Sequence, residues 1–529
     1  MFSIIKISFR LHLVRIFCDF STAVRDLFYN CVFATWVKGR LFLIRYTILS
    51  LVIFFICSYA LKNWYRALCL LIPLLAVIER PDMPRSLFDI PGANLYNLSL
   101  FFVLAGWFFQ RKVEPASELP KKLMLLVSFY LLLSLFAFVR MLLDMDGIYA
   151  LRDHLNIPYP TTRSVVIDYL LDPIKSIIPG FLIASISLST QNARLMMYAI
   201  FGMGVFLALE VIKVMLPALI GVDDLSTRAL RVIDRDVGYH RVATATILSM
   251  MASGLFGLII VLNSKKEKFV ALILFLTCTF ALALTGGRAG MLGWAAACVF
   301  LAIFRYKKVL IVAPFIFALL IPIVPGLQER IFEGFNEETH ERSDVNVDLV
   351  DNEGRDLYAI TSGRAAVWPL VINSISEAPW TGHGMNGMQR AGISLALYDV
   401  LGVAKHGFSH PHNMYLESLL NGGILGTVLS LALIGFLGLS CFRVFYTQKT
   451  GVVGEVSVAL LGMMIAFLVC GLGSGTLYPH LNSATLCCAI GLYISARYRT
   501  PKNSQVSAKK LETDQSISDA LWLKKVITN

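Results

Sequence analysis

The chain has 529 residues, of which 57% are hydrophobic and only 16% are charged. This composition is far more apolar than that of a soluble globular protein, so it excludes that class and indicates a polytopic membrane protein. A net charge of +12 would suggest a nucleic-acid partner in a soluble chain, but here the lysines lie between apolar runs and mark cytoplasmic loops. We therefore expect a membrane partner and no nucleic acid.

The order of polar and apolar segments predicts five regions. Residues 1–40 form a basic segment that is either an amphipathic surface helix or a disordered arm. Transmembrane helices occupy 41–325, a large loop 326–411, further transmembrane helices 412–497, and a cytoplasmic tail 498–529.

The apolar runs approach the length of spanning helices and lack the alternation typical of a membrane β-barrel. The fold class is therefore an all-α integral membrane bundle. The candidate spans are 41–61, 67–78, 95–109, 123–143, 174–190, 195–220, 243–263, 269–285, 290–304, 309–325, 413–440, 453–472 and 482–496.

The lysine-rich loops fix the expected orientation, because lysine and arginine are in excess on the cytoplasmic side. Thirteen alternating spans would place the C-terminus in the cytoplasm but the basic N-terminus outside, which conflicts with this rule. The short run 67–78 is the suspected partial crossing, which leaves about twelve spans. The loop 326–411 then faces the periplasm.

This periplasmic loop is too long to be a simple connection. Its first part, 328–357, is acidic, and its role is left open. Its second part predicts a helix capped by Ser362, containing Pro369 and closed by the turn PWTGHG. Arg364 either fixes this helix or supports a site. We expect the helix to lie over the outer face of the bundle.

Arg288, in LTGGRAGMLG, lies where one span turns into the next. Its flanking glycines allow a large group to approach the backbone, and a guanidinium at this depth normally implies an anionic partner. Snorkelling or pairing with a loop carboxylate is the structural alternative. Upstream, the loop 221–242 is rich in Arg and Asp, and Arg231 and Arg241 are its candidates for inward-facing cations.

The stretch HPHNMYLESLLNGGILG predicts a helix N-terminus at His412 and Asn413, with Pro411 in the first turn. Leu416, Leu419 and Gly423 would then share a face with His412. A helix N-terminus favours a neutral imidazole that can accept a proton. A polar cap on a membrane helix is the alternative interpretation.

Arginine forks suit diphosphate oxygens, and a neutral histidine suits deprotonation of a hydroxyl. A lipid diphosphate is the anion that such a site would meet from the bilayer. The predicted reaction is displacement at a sugar anomeric carbon, with arginines stabilising the departing diphosphate.

LTGGRAG, SGRAAVW…PWTGHG and HPHNMYLESLLNGGILG together resemble the O-antigen ligase and O-antigen polymerase superfamily of bacterial membrane glycosyltransferases. The resemblance covers mainly residues 225–440. It implies a GT-C-like fold in the inner membrane, an undecaprenyl-diphosphate-linked glycan as donor, no metal or other cofactor, and a periplasmic active site. The acceptor would be a lipid A core or another glycolipid or glycan.

By this resemblance, His412 matches the family's general base, Arg288 the arginine of its Ser-Arg-Gly-like turn, and Arg231 the arginine ahead of the seventh span. Asn413, Arg364 and His410 are supporting residues, and Arg241 is a second diphosphate candidate. The chain departs from the pattern at Gly287, where serine is common, and lacks the Asn-Pro-Asn-like element after Arg231.

Rival functions stay open. Ligase, polymerase and protein oligosaccharyltransferase share the donor chemistry, so the motifs do not separate them. A transporter is a more distant alternative, because neither repeats nor broken spans in matching positions are visible. A metal site at His406, His410 and His412 fits no common spacing. The ten cysteines are scattered and indicate neither disulfides nor metal.

Overall fold

The computed structural model describes a helical chain with one short hairpin. The described residues are 39–84, 86–87, 90–110, 119–219, 225–305, 307, 364–401, 410–447, 451–473 and 475–499. Several predicted features lie outside them: the basic segment up to residue 38, the span 309–325, the acidic part of the large loop with Ser362, His406, and the tail from residue 500.

The chain divides into two compact units, residues 1–114 and 115–529. The first contains the helices α1 (Gly39–Lys62), α2 (Trp64–Ile78) and α3 (Leu95–Gln110), with the antiparallel strands β1 (Ser86–Leu87) and β2 (Ile90–Pro91). The side-chain amide of Gln110 donates to the carbonyls of Ala60 and Leu61 at 2.9 and 2.8 Å, which ties the end of α3 to that of α1.

The second unit contains the longer helices and the predicted site. Its helices are α4 (Lys121–Leu143), α5 (Asp146–His154), α6 (Thr162–Val166), α7 (Asp172–Ala184), α8 (Thr190–Leu219), α9 (Leu225–Val232), α10 (Arg241–Val261), α11 (Lys265–Leu284), α12 (Arg288–Arg305), α13 (Arg364–Glu377), α14 (Gly387–Arg390), α15 (Ile393–Leu401), α16 (Met414–Thr447), α17 (Val452–Cys470) and α18 (Ala484–Tyr498). π-Helical turns at Ile167–Leu171 and Ile233–Val237 follow α6 and α9, and a 3₁₀ turn at Leu481–Ser483 precedes α18.

Seven helices in the described residues are long and apolar enough to cross a membrane, namely α4, α8, α10, α11, α12, α16 and α17. Shorter apolar helices include Trp64–Ile78, which corresponds to the suspected partial crossing and contains Pro73. The expected helical membrane fold is confirmed, whereas about twelve spans and the periplasmic placement of the loop stay predictions.

Helix α10 is the centre of the second unit. In the most apolar stretch of α10, 89% of the residues are buried inside the protein, compared with 22% in the corresponding stretch of α4. Small residues allow this close packing, since a side chain on Gly462 of α17 would come within 2.6 Å of the Ser253 carbonyl of α10. Helices α10, α11, α12 and α17 therefore form a tightly packed core.

The two ends of this core carry different cations. Lys265, Lys266 and Lys268 begin α11, and Arg288 follows its end. A 20-residue helix spans about 30 Å, so the lysines and Arg288 lie on opposite sides of a hydrocarbon-thick layer. This fits the predicted separation of lysine loops from arginine loops.

Helix α16 is broken at Gly423, whose φ of 62° and ψ of −164° leave the helical region. The turn predicted at PWTGHG fills the break: Ile424 N donates to Pro379 O at 2.8 Å, and His383 N donates to Leu420 O at 2.7 Å. The inserted turn thus pairs backbone groups that the interruption releases. The sequence did not reveal this broken span.

The predicted loop helix exists as α13, and Pro369 lies inside it without ending it. Its buried side chains Val367 and Val371 pack with Met388, Leu397 and Leu420. The second part of the large loop is therefore packed onto α16.

Candidate active site

The structure confirms that His412 and Asn413 lie at a helix N-terminus. The Asn413 Oδ1 accepts hydrogen bonds from Tyr415 N at 3.0 Å and Leu416 N at 3.2 Å, which is the geometry of an N-cap. Because the helix begins at Met414, the prediction that Pro411 lies in its first turn is wrong.

The prediction that His412 lies on the same helical face as Leu416, Leu419 and Gly423 is also wrong. The φ of 51° at His412 lies in the left-handed region, so this residue precedes the helix and its side chain is not set by helical spacing. Such backbone is uncommon for a residue other than glycine and is often found at functional sites.

His412 and His410 form a ring pair whose centroids are 4.2 Å apart. Between them, the Pro411 carbonyl accepts a hydrogen bond from Trp368 Nε1 of α13 at 3.0 Å. Burial lowers the pKa of His412 to about 3 and that of His410 to about 4, and the charge of Arg364 contributes to both shifts. Both imidazoles are therefore neutral at neutral pH, as predicted for His412.

Two glycines place Arg288 against α10. A Cβ on Gly287 would lie 2.5 Å from the Ala245 Cβ, and one on Gly290 would lie 2.9 Å from the same atom. Gly287, where the resembled family commonly has serine, is thus required by its contact with Ala245. Since Ala245 is one turn from Arg241, this contact brings Arg288 close to Arg241.

Arg241 is the first residue of α10 and is partly buried. Its Nε and Nη1 are buried and have no hydrogen-bond partner within the described protein. The charged groups that act on it are Arg288 and Arg364, both of them cations. Among the described residues, Arg241 thus has other cations as its charged neighbours, and buried cations grouped in this way are costly, so the cluster is suited to an anionic ligand.

Arg364 completes the cluster from α13. Its Nη2 donates to the Gly473 carbonyl at 2.5 Å, whereas its Nε is buried and no described residue accepts a hydrogen bond from it. Burial lowers its pKa, with a further contribution from Arg288. Arg364 therefore both fixes the loop helix and adds a charge to the site. We call Arg241, Arg288 and Arg364 the arginine cluster.

Arg231 does not join the arginine cluster. It is exposed on α9, ahead of the π-helical turn. Its neighbours have structural partners: Arg228 Nε donates to Val214 O at 2.9 Å, and Arg235 pairs with Asp236 at 2.7 Å. Of the two candidates from this loop, Arg241 and not Arg231 therefore lies with Arg288 and Arg364.

Metal ligands are not gathered in the part of the chain that the structure describes. There, no group of three or more His, Cys, Asp or Glu side chains could hold a metal ion. The arginine cluster supplies the positive charge at this site.

A cavity of about 420 Å³ adjoins the histidine pair. His410 and Pro411 contribute to its wall, together with Asp168, Glu417 and Tyr478. Sequence reasoning missed these three residues. Helical spacing from His412 selects Leu416, Leu419 and Gly423 and not Glu417, and Asp168 and Tyr478 come from segments distant in sequence.

Comparison with known proteins gives one family. Residues 272–431 match the family model described as O-antigen ligase. This segment of the chain is therefore similar to O-antigen ligases. The matched segment includes Arg288, Arg364, His410 and His412, whereas Arg241 lies outside it. No curated protein matches the chain.

The match confirms the resemblance to the O-antigen ligase and polymerase superfamily, whose members are glycosyltransferase-like membrane enzymes. With its apolar helices, the chain is a multi-pass membrane protein with O-antigen ligase or polymerase character.

Proposed function

We propose that the protein transfers a glycan from undecaprenyl diphosphate to an acceptor hydroxyl at the periplasmic face of the inner membrane. The observation that carries this proposal is the arginine cluster, in which two buried donors of Arg241 have no partner among the described residues. Diphosphate oxygens would satisfy these donors, because the planar guanidinium fork matches phosphate geometry.

His412 is the proposed general base. It accepts the proton of the acceptor hydroxyl, whose oxygen then bonds to the anomeric carbon of the donor sugar. The bond from that carbon to the diphosphate oxygen breaks, and its electron pair leaves with undecaprenyl diphosphate. The imidazolium afterwards loses its proton to water, which restores the neutral base.

The arginine cluster acts mainly on the leaving group. The diphosphate gains negative charge as the glycosidic bond breaks, so cations beside it stabilise the transition state more than the bound donor. Arginines would thereby take the part that a metal ion plays in other glycosyl transfers, and we propose that no metal is required.

The bound donor also improves the base. In the free protein, burial holds the pKa of His412 at about 3, which keeps the ring neutral but weakly basic. A diphosphate on the nearby arginines adds negative charge and raises this pKa towards the useful range. Proton transfer is thus favoured only when donor is present.

The proposed acceptor is a lipid A core or similar glycolipid, which makes the enzyme a ligase. A polymerase or an oligosaccharyltransferase would use the same donor site, so only the products separate the three. The experiment is complementation of a strain that lacks the native gene, using His412→Ala and Arg288→Ala. Arg235→Ala is the control, because Arg235 is exposed and paired with Asp236.

We expect both site variants to insert normally, to lose surface polysaccharide, and to accumulate undecaprenyl-linked glycan. General-base loss reduces rates by about 10²–10⁴-fold. Full-length unattached chains indicate a ligase, single lipid-linked repeats a polymerase, and glycan missing from protein an oligosaccharyltransferase. Wild-type glycans in both variants would refute the site and favour the transporter alternative.

A further inference from the structure

The cavity beside His410 has the opposite charge character to the arginine cluster. No arginine or lysine of the described residues lines it, whereas Asp168 and Glu417 do. Its histidines do not offset these carboxylates: burial lowers the pKa of His240, His410 and His480. At neutral pH, the cavity therefore presents the negative charge of the Asp168 carboxylate among neutral polar groups, because complete burial favours the protonated form of the Glu417 carboxyl.

The cavity also has the composition of a small-molecule site. Its volume of about 420 Å³ lies in the range of ligand pockets, and the rings of Tyr169 and Tyr478 add apolar surface to its polar wall. The amide group of Asn421 adds another hydrogen-bonding group. A wall of carboxylates, amide and tyrosine rings suits a ligand with hydroxyls on an apolar ring.

The carboxylates are set by specific backbone features. Asp168 lies in the π-helical turn Ile167–Leu171, an irregularity that changes which side chains face inward and is frequent at functional sites. Glu417 lies in the first turn of α16 and forms a hydrogen bond with Thr476. The π-helical turn with Asp168, the first turn of α16 with Glu417, and the segment that contains Thr476 thus bring polar groups to one cavity.

We infer that this cavity binds the acceptor as an uncharged glycan, with the Asp168 carboxylate accepting hydrogen bonds from its hydroxyls and the neutral Glu417 carboxyl donating to or accepting from others. The inference rests on the proposed transferase function. A hydrogen bond to a carboxylate is about twice as strong as one between neutral groups, so a carboxylate in the cavity favours ligands with hydroxyl donors. A phosphate or uronic acid would face the like charge of Asp168 and bind more weakly.

The charge difference between the two subsites also orients the substrates. The donor diphosphate is attracted to the arginine cluster and repelled from the cavity, while an uncharged acceptor has no such preference for the arginines. His410, which lines the cavity and contacts His412, marks the point where the two subsites meet. An acceptor hydroxyl in the cavity is therefore next to the proposed base.

The test measures sugar binding to the full chain in lipid nanodiscs by saturation-transfer NMR. The probes are methyl glycosides of glucose, galactose and N-acetylglucosamine, with the glucuronide, galacturonide and 6-phosphates as charged counterparts. We expect at least one neutral glycoside to bind, and its charged counterpart to bind about tenfold more weakly.

In the double variant Asp168→Asn/Glu417→Gln, this discrimination should fall below about threefold. Asp153→Asn is the matched control, because Asp153 is exposed, accepts a hydrogen bond from the Tyr159 hydroxyl and does not line the cavity. It should retain the full discrimination. Equal or tighter binding of the charged glycosides, binding of no neutral glycoside, or discrimination that survives in the double variant would each overturn the inference.

Undecaprenyl diphosphate binding, measured on the same samples, separates this inference from the proposed function. The double variant should bind it as wild type does, which also shows that the variant is folded. If sugar preference is absent while the diphosphate binds, only the acceptor inference fails. If the sugars behave as expected and the diphosphate does not bind, the proposed donor site fails instead.

Discussion

Two arginines at opposite ends of the core have opposite surroundings. Arg194, at the start of α8, binds the Glu455 carboxylate through two hydrogen bonds of 2.7 and 3.2 Å, with Glu267 at 3.6 Å. Arg241, at the start of α10, has cations as its charged neighbours in the described part of the chain, where two of its buried donors have no hydrogen-bond partner.

The difference separates a structural arginine from a ligand-binding one. Glu455 is 4% exposed, so Arg194 neutralises a carboxylate that would otherwise be buried alone. Arg241 does not neutralise a buried carboxylate of the described residues, and a buried guanidinium whose charge is uncompensated costs free energy. A binding site can keep such an unfavourable charge in the free protein if a bound anionic ligand later neutralises it.

The largest effect that we predict within this comparison concerns Gly287, which sets the approach of Arg288 to Arg241. Serine at position 287 would push Ala245 and the arginines apart, and a misplacement of about 1 Å can cost about a hundredfold in rate. We therefore expect Gly287→Ser to reduce transfer by about that factor, measured with radiolabelled lipid-linked glycan.

Two variants check the cause. Ala245→Gly removes the Cβ atom with which a serine at position 287 would clash. The double variant Gly287→Ser/Ala245→Gly should therefore regain most of the activity. Gly435→Ser is the control, since a Cβ at Gly435 meets nothing within 4 Å. Full activity of Gly287→Ser alone would show that the spacing of the arginines is unimportant.

A smaller effect is expected from pH. Protonated His412 cannot accept a proton, so activity is lost as pH falls through its pKa, which burial lowers to about 3 in the free protein. Because kcat/KM reports the free enzyme, it should change by less than about twofold between about pH 5 and pH 8. The acid limb of kcat should lie at higher pH, since bound diphosphate raises the pKa.

Steady-state kinetics over this range are the measurement, with protein stability checked at each pH. A tenfold fall in kcat/KM per pH unit below about pH 6.5 would indicate an unperturbed histidine. It would contradict a neutral base beside the arginine cluster.

Much of the fold could be predicted from the sequence, because the local rules of hydropathy and capping were sufficient. The predicted spans match helices such as α10 and α11 to within a few residues, and Asn413 caps α16. The turn at Arg288 was visible from its glycines.

The remaining features depend on contacts between distant segments. The break at Gly423 needs the turn at Trp380 to satisfy the released backbone, and only tertiary structure brings these together. The resemblance favoured Arg231 over Arg241, and only the packing of Gly287 and Gly290 against Ala245 shows that Arg241 is the one beside Arg288. Asp168 joined the site through a π-helical turn, for which the sequence offered no signal.

Binding of undecaprenyl diphosphate to purified Arg241→Ala and Arg194→Ala tests the donor site most directly. Native mass spectrometry would measure the affinity, with undecaprenol as the uncharged control lipid. We expect Arg241→Ala to bind the diphosphate at least about tenfold more weakly than wild type, since a charge-assisted hydrogen bond contributes about 1.5–3 kcal/mol. Arg194→Ala should bind within about twofold of wild type but unfold at lower temperature. Unchanged diphosphate affinity in Arg241→Ala, or equal loss in both variants, would contradict the assignment of the arginine cluster to the donor diphosphate.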